Sequence, residues 1–172
     1  MTIGRAIAEK TGYKLLHNHM TIDLLLNIFE HGSPQFWKLD QLFRFSIMEE
    51  VAKSKLPGFI FTFLWGFNSK DDEEYIQKIE KIFANEGAET VFLELECPLE
   101  ERKKRNKTPL RLEHKPSKRD TEHSEKMMVK HDKEYRFNSQ EGEFKGRKHL
   151  KVNNENLRPE EVADKAIKNF NL

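Results

Sequence analysis

Between Leu99 and Asp120 the chain concentrates positive charge at spacings that suit phosphate. Leu99-Glu100-Glu101-Arg102-Lys103-Lys104-Arg105 follows a β-prone run, and Arg102 and Arg105 share one face of the helix expected there. Arg111, Lys115, Lys118 and Arg119 follow in a polar stretch interrupted by Thr108-Pro109 and Lys115-Pro116-Ser117. Guanidinium binds phosphate through two parallel hydrogen bonds, and phosphoryl transfer needs cations over the β- and γ-phosphates as charge moves to the bridging oxygen. A loop that brings those cations in also excludes water, which would otherwise take the phosphoryl group. An exposed basic helix with no ligand has equal weight on charge alone.

A second constellation is His17-Asn18-His19-Met20-Thr21-Ile22-Asp23, at the carboxyl end of the first expected strand. In open α/β sheets that edge receives ligands. Asp23, or a histidine there, could take a proton from an acceptor hydroxyl. Zinc is the competing idea, but two histidines two apart lack a matching Cys/His/Asp cluster. The plain alternative is a polar strand-to-helix turn capped by Asn18 or Asp23. Arg44 interrupts the apolar run Leu42-Phe43-Arg44-Phe45, either as a snorkelling side chain on a helix flank or as an anion anchor for substrate. Trp65-Gly66-Phe67-Asn68 either lines a cleft or finishes the core.

The elements that must position these residues alternate. Apolar Ile3, Ala6 and Ile7 mark a helix that Gly12 can cap, and Tyr13–His17 is a short strand. Ile22, Leu25, Leu26 and Phe29 follow on a helix, and His31-Gly32-Ser33-Pro34 is a strong break. Leu39, Leu42, Phe43, Ile47 and Val51 give the longest helix, over Phe36–Ser54. Phe59–Leu64 is a continuous apolar run, as expected of a strand covered on both faces. Ser69-Lys70-Asp71-Asp72 opens a helix with Tyr75, Ile76, Ile79, Ile82 and Phe83 on one stripe. Thr90–Leu95 and His149–Val152 are strands, Pro98 sits at the first position of one helix, and Pro159 starts the last. Residues 107–121 show no periodicity; in a compact domain such a stretch is a functional lid or is disordered. The class is α/β with a mainly parallel sheet, on one domain spanning 1–172.

Composition narrows the setting. The 172 residues are 34% charged and carry a net +1, which conceals a split. Residues 1–99 hold 10 Lys/Arg against 15 Asp/Glu, whereas residues 100–151 hold 17 against 10. An acidic body with a basic segment suggests an anion site. No apolar run approaches the roughly 20 residues a membrane span needs, so no membrane partner is expected. The amino terminus lacks a secretory pattern, and Cys97 is alone, which makes cytoplasm the default location.

On these residues the chain resembles P-loop kinases of the nucleoside-monophosphate-kinase group, in particular the bacterial shikimate-kinase-like and chloramphenicol-phosphotransferase-like proteins. The resemblance runs through Met1-Thr2 and the helix Ile3–Lys10, the His17–Thr21 turn, Phe43-Arg44, Phe59–Leu64 and Thr90–Leu95. It continues through Arg102, Arg105 and the Arg111–Asp120 lid to Val152-Asn153-Asn154 and Leu157–Val162. It implies a three-layer fold, a parallel sheet between helices, with substrate-side helices over about 18–54 and a basic lid over about 106–121. It also implies ATP and Mg²⁺, a small-molecule acceptor, and transfer of a phosphoryl group to a hydroxyl.

By the same resemblance Thr2 would lie beside the phosphates and Mg²⁺, while Arg102, Arg105, Asn153 and Asn154 would hold the nucleotide. Arg111 and Arg119 would close on the transfer site with Asp23, and His17, His19 and Arg44 would meet the acceptor. The family's first, central strand and its G-x-x-x-x-G-K-[ST] loop do not occur in the 172 residues. Asn68 stands where relatives often carry an acid. These 172 residues alone are therefore expected to have little or no kinase activity. A non-catalytic module that binds an anionic ligand or partner is the alternative. Nucleic-acid binding is the weakest reading, since no recognition motif accompanies the charge.

Overall fold

Local signals fix most of the helices. The computed structural model describes all residues, Met1–Leu172. Helix α1 (Thr2–Thr11) buries Ile3, Gly4, Ala6 and Ile7 on one face. It stops at Gly12, whose φ of 76° is the left-handed conformation glycine adopts at no steric cost. Gly4 lets α1 lie close on strands β1 (Lys14–His17) and β2 (Phe59–Thr62): a Cβ there would stand 3.1 Å from Leu15 Cδ1 and 3.5 Å from Ile60 Cγ2.

Helix α2 (His19–Leu25) follows β1 directly. Ser33 then caps α3 (Pro34–Lys53) by accepting from Phe36 N–H at 3.3 Å. Ser69 caps α4 (Lys70–Asn85) in the same way through Asp72 N–H, with Asp71, Asp72 and Glu73 in the first turn where the helix dipole favours acids. Strand β3 (Val91–Glu96) leads to α5 (Leu99–Asn106), whose cap position, not its first helical position, is Pro98.

The segment expected to be aperiodic is helical. It forms α6 (Pro109–His114) and a 3₁₀ turn (Pro116–Lys118) before α7 (Thr121–Glu134), which Asp120 caps through His123 N–H. Pro109 and Pro116 each start a new piece, and neither piece is long enough to display a helical period. Strand β4 (Lys148–Asn153) and α8 (Pro159–Phe170) complete the chain.

The strands form two parallel pairs, so the protein is mixed α/β with two small sheets flanked by helices. Lys14 to His17 lie opposite Phe59 to Thr62, and Val91 to Glu96 lie opposite Lys148 to Asn153. No ladder joins β2 to β3. Both strands nevertheless serve the same two apolar clusters. Ile60 and Leu93 pack with Ile3, Ile7, Val162 and Ala166 of α1 and α8. Phe59, Phe61 and Phe92 pack with Phe45, Met48, Ile76 and Ile79 of α3 and α4. The two pairs thus share one core, and β2 and β3 each keep an edge without a hydrogen-bonded neighbour.

That open edge corrects the expectation of a fully covered strand at Phe59–Leu64. The strand ends at Thr62, all four of its residues are half-buried, and Leu64 is 56% exposed. An apolar run reads as covered on both faces whether or not its second neighbour is present. On α8 the sealed residues are Val162, Ala163 and Ala166, at 0–1% exposure.

Candidate anion site under the lid

Three segments distant in sequence meet at the start of α1. The end of β1 brings His17, α2 brings His19 and Asp23, and α6 with its 3₁₀ turn brings Arg111, His114, Lys115 and Lys118. Arg5 Nη1 lies 2.5 Å from His114 Nε2. His19 Nδ1 is 3.3 Å from Ser117 Oγ and 3.5 Å from Asp23 Oδ1. These polar contacts tie the α6 segment to α1 and α2. Neither α6 nor the 3₁₀ turn has a hydrophobic residue that is fully buried.

The charge balance of this hollow is one-sided. Lys115 is only 8% exposed, and no carboxylate, carbonyl or hydroxyl accepts from its Nζ or from that of Lys118. Burial, with Arg111 and Lys118 nearby, pushes the Lys115 amine down to about 7, with Asp23 opposing. Burial and Arg111 likewise lower Lys118, and burial lowers Arg111. His19 is driven to about 2 by burial and then by Lys115, Lys118 and Arg111; His17 falls to about 4 by burial and Lys115. The Met1 amino group lies in the same field, lowered to about 5 by burial, Lys115 and Arg111. Asp23 is the one carboxylate among these groups. The first turn of α1 adds no acid and no side-chain cap, so its N–H groups contribute further positive potential.

His17, His19, Asp23 and Arg111 all border this region, and Thr2 lies on the first turn of α1. The other expected residues lie elsewhere in the network. Arg44 is 5% exposed and fully engaged: Nη1 stands 3.1 Å from Asp40 Oδ2, Nε donates to Thr21 Oγ1 at 3.0 Å, and Nη2 donates to the Asn18 carbonyl at 2.9 Å. Thr21 in turn donates to Asp40 Oδ1 at 2.6 Å. Arg44 thus holds the turn that carries His17 and His19, and neither the snorkelling nor the free-anchor expectation describes it.

Arg105 donates to Glu101 and to the carbonyls of Asn154 and Glu155, which fastens the loop after β4 to α5. Arg102 pairs with Asp132 at 2.5 Å. Asn154 is buried, with its N–H on the Glu96 carbonyl and its Oδ1 without a partner, while Asn153 Oδ1 accepts from Glu155 N–H. Arg119 is exposed and donates to the Leu112 carbonyl at 3.3 Å.

Arg5 and His114 were not among the sequence candidates. A cation in the first turn of a helix, where the dipole disfavours it, was the available signal for Arg5. Trp65 and Phe67 stack at 4.6 Å and meet Phe144, so they finish the core.

No three His, Cys, Asp or Glu side chains converge closely enough to hold a metal ion. Asp72, the acid nearest the exit of β2, accepts from Gly66 N–H at 2.7 Å. Beside His19 the side-chain oxygens are those of Asp23 and Ser117, and a single carboxylate there does not by itself make up a Mg²⁺ site. No protein-family model matches the chain, and no curated protein or solved structure is similar to it.

Proposed function

We propose that the region between α1, the His17–Asp23 turn and the α6 segment binds phosphate groups, and that the chain has a P-loop-kinase-like phosphotransferase scaffold. The observation that carries this is the cationic cluster of buried Lys115 and half-buried Arg111 and Lys118, with Asp23 as the single carboxylate that opposes it. A phosphate-bearing ligand such as ATP supplies the missing negative charge. It also bears on the turn: His19 is held down first by burial, and an anion against Lys115 and Lys118 offsets only the smaller, cationic part of that lowering.

The split sheet agrees with the same reading. A P-loop-kinase-like three-layer fold places its first strand at the centre, between two strand pairs. The open edges of β2 and β3 within one shared core leave room for such a strand. The 172 residues alone then act as an anion-binding body with little transfer activity.

Calorimetric titration with pyrophosphate and with Mg-ATP tests the reading. Expected is salt-sensitive pyrophosphate binding that weakens about tenfold in Lys118→Met, the scale of one lost charge-assisted bond. Absence of pyrophosphate binding at low salt overturns the phosphate site. Tight Mg-ATP binding by the 172 residues overturns the claim that the site is incomplete.

A further inference from the structure

Strand β4 pairs with β3 alone, so its second edge has no strand beside it. In a parallel ladder alternate residues bond to each side, and the amides and carbonyls of β4 that turn away from β3 meet no other backbone group. A groove of about 520 Å³ lies along this edge. Leu150 to Asn153 line it from the strand, Lys165, Lys168 and Asn169 line it from α8, and Leu157 adds an apolar side chain. Val162, Ala163 and Ala166 hold α8 on the core beside Val152, which leaves Lys165 and Lys168, three apart, on one exposed flank of the helix.

The charge of the groove has one sign. No carboxylate is among its lining residues. Lys151 is already engaged, its Nζ donating to the Ser139 carbonyl at 3.0 Å and lying 3.3 Å from Glu94 Oε1. No carboxylate pairs with Lys165 or Lys168, and Asp164, the acid nearest in sequence, is taken by Lys10 of α1.

An unpaired edge beside two unmatched cations calls for a single occupant that satisfies both. We infer that the β4 edge is a docking site for an extended acidic segment of a partner protein, which adds as a strand beside β4 and sets alternate carboxylates against Lys165 and Lys168. Alternate side chains of a strand share one face at roughly 6.7 Å, and the two lysines are roughly 4.5 Å apart along the helix axis, a mismatch that flexible lysine stems absorb. Backbone bonds then supply affinity, and the acids select the partner. A small anion would meet the lysines and leave the edge unpaired. A second copy of the chain pairing edge to edge would bring two lysine-bearing flanks together, which like charge disfavours.

The test is fluorescence anisotropy with a labelled hexapeptide that alternates glutamate and valine. Expected at low salt is saturable binding that weakens about tenfold when glutamine replaces glutamate. The double variant Lys165→Gln, Lys168→Gln should weaken it by about the same factor, the scale of two exposed ion pairs. Two versions of the peptide methylated on opposite sets of alternate amides should differ sharply, since only one set faces β4. Hydrogen exchange should slow at the outward amides of β4 when the peptide binds. Lys118→Met, the variant expected to weaken pyrophosphate binding, should bind the peptide unchanged. Absence of binding at low salt, equal binding of the two methylated versions, or unchanged exchange in β4 overturns the docking site. A loss of binding in Lys118→Met with none in the α8 double variant overturns it as well, and so does self-association of the free protein through β4.

Discussion

Asp40 Oδ2 lies 3.1 Å from Arg44 Nη1, one helical turn along α3, and the two side chains are 1% and 6% exposed. The pair takes two charges out of water, and Thr21 Oγ1 and the Asn18 carbonyl complete its hydrogen bonds. Burial still outweighs these partners at Asp40, whose carboxyl is raised above the ordinary carboxylate range. Such a pair gives little net stability over an apolar replacement, yet removing one partner strands the other.

Arg44→Met should therefore cost about 3–5 kcal/mol in urea unfolding. Asp40→Leu combined with Arg44→Met should recover most of that loss. The His17–Asp23 turn hangs on Arg44, so pyrophosphate affinity should fall in the single variant as well. Unchanged stability in Arg44→Met would show a free side chain and return it to the role of substrate anchor.

Glu94 pins a second region and governs part of the acid response. It is 8% exposed and accepts from Ser139 Oγ at 2.6 Å, Ser139 N–H at 2.9 Å, Asn138 Nδ2 at 2.8 Å and His149 Nε2 at 2.8 Å. Burial pushes its carboxyl up, but the bonds from Ser139, Asn138 and Lys151 outweigh that and bring it down to about 2. A lowered carboxylate stabilises the fold above its unfolded value of 4.5, and that contribution is lost as pH falls toward 2. His17 and His19, lowered from 6.5 to about 4 and about 2, make the unfolded chain bind more protons below 6.5. All three effects have the same sign. Stability from urea midpoints should decline from about pH 6.5 downward and steepen below 4.5. Glu94→Gln should flatten the lower limb and leave the upper one, and an unaltered lower limb would remove Glu94 from the account.

How much of this was legible in the sequence depends on how far each cause reaches. Gly12, Ser33 and Ser69 act within four residues, and the elements they bound lie where the pattern placed them. The α6 segment was not legible, because two prolines cut it into pieces too short for a period. Arg44 stood out as a charge in an apolar run, yet Asp40, four residues earlier, was the clue to its use. The approach of Arg5 to His114 spans 109 positions, and the burial of Lys115 is a tertiary property with no local signature. His17, His19, Asp23 and Arg111 were legible by chemical type, but the hollow they share emerges only once the segments pack.

The unpaired edges of β2 and β3 make a prediction for hydrogen exchange. In a parallel ladder a strand turns alternate amides to each side, so roughly half of the amides of β2 and β3 point away from β1 and β4. Those amides should exchange markedly faster than their bonded neighbours, despite lying in a shared core. Uniform protection along both strands would mean that a neighbour, such as a second copy of the chain, occupies the edges in solution.

The Lys115 amine should set stability and anion affinity against each other as pH rises. Its value is lowered from 10.5 to about 7 in the fold, so between those limits the unfolded chain binds the extra proton. The cost of burying the charge is present in full below pH 7 and fades toward 10.5, and the free protein should gain stability over that window. The same deprotonation removes a cation from the hollow, so pyrophosphate affinity should fall over the same range. Bound pyrophosphate favours the charged amine, hence binding near pH 8 should take up a proton. Titrations in buffers of different ionisation enthalpy would detect that uptake. Lys115→Met should abolish the uptake and the alkaline gain in stability together, because both arise from one amine. Persistence of either in the variant would assign it to another group in the hollow.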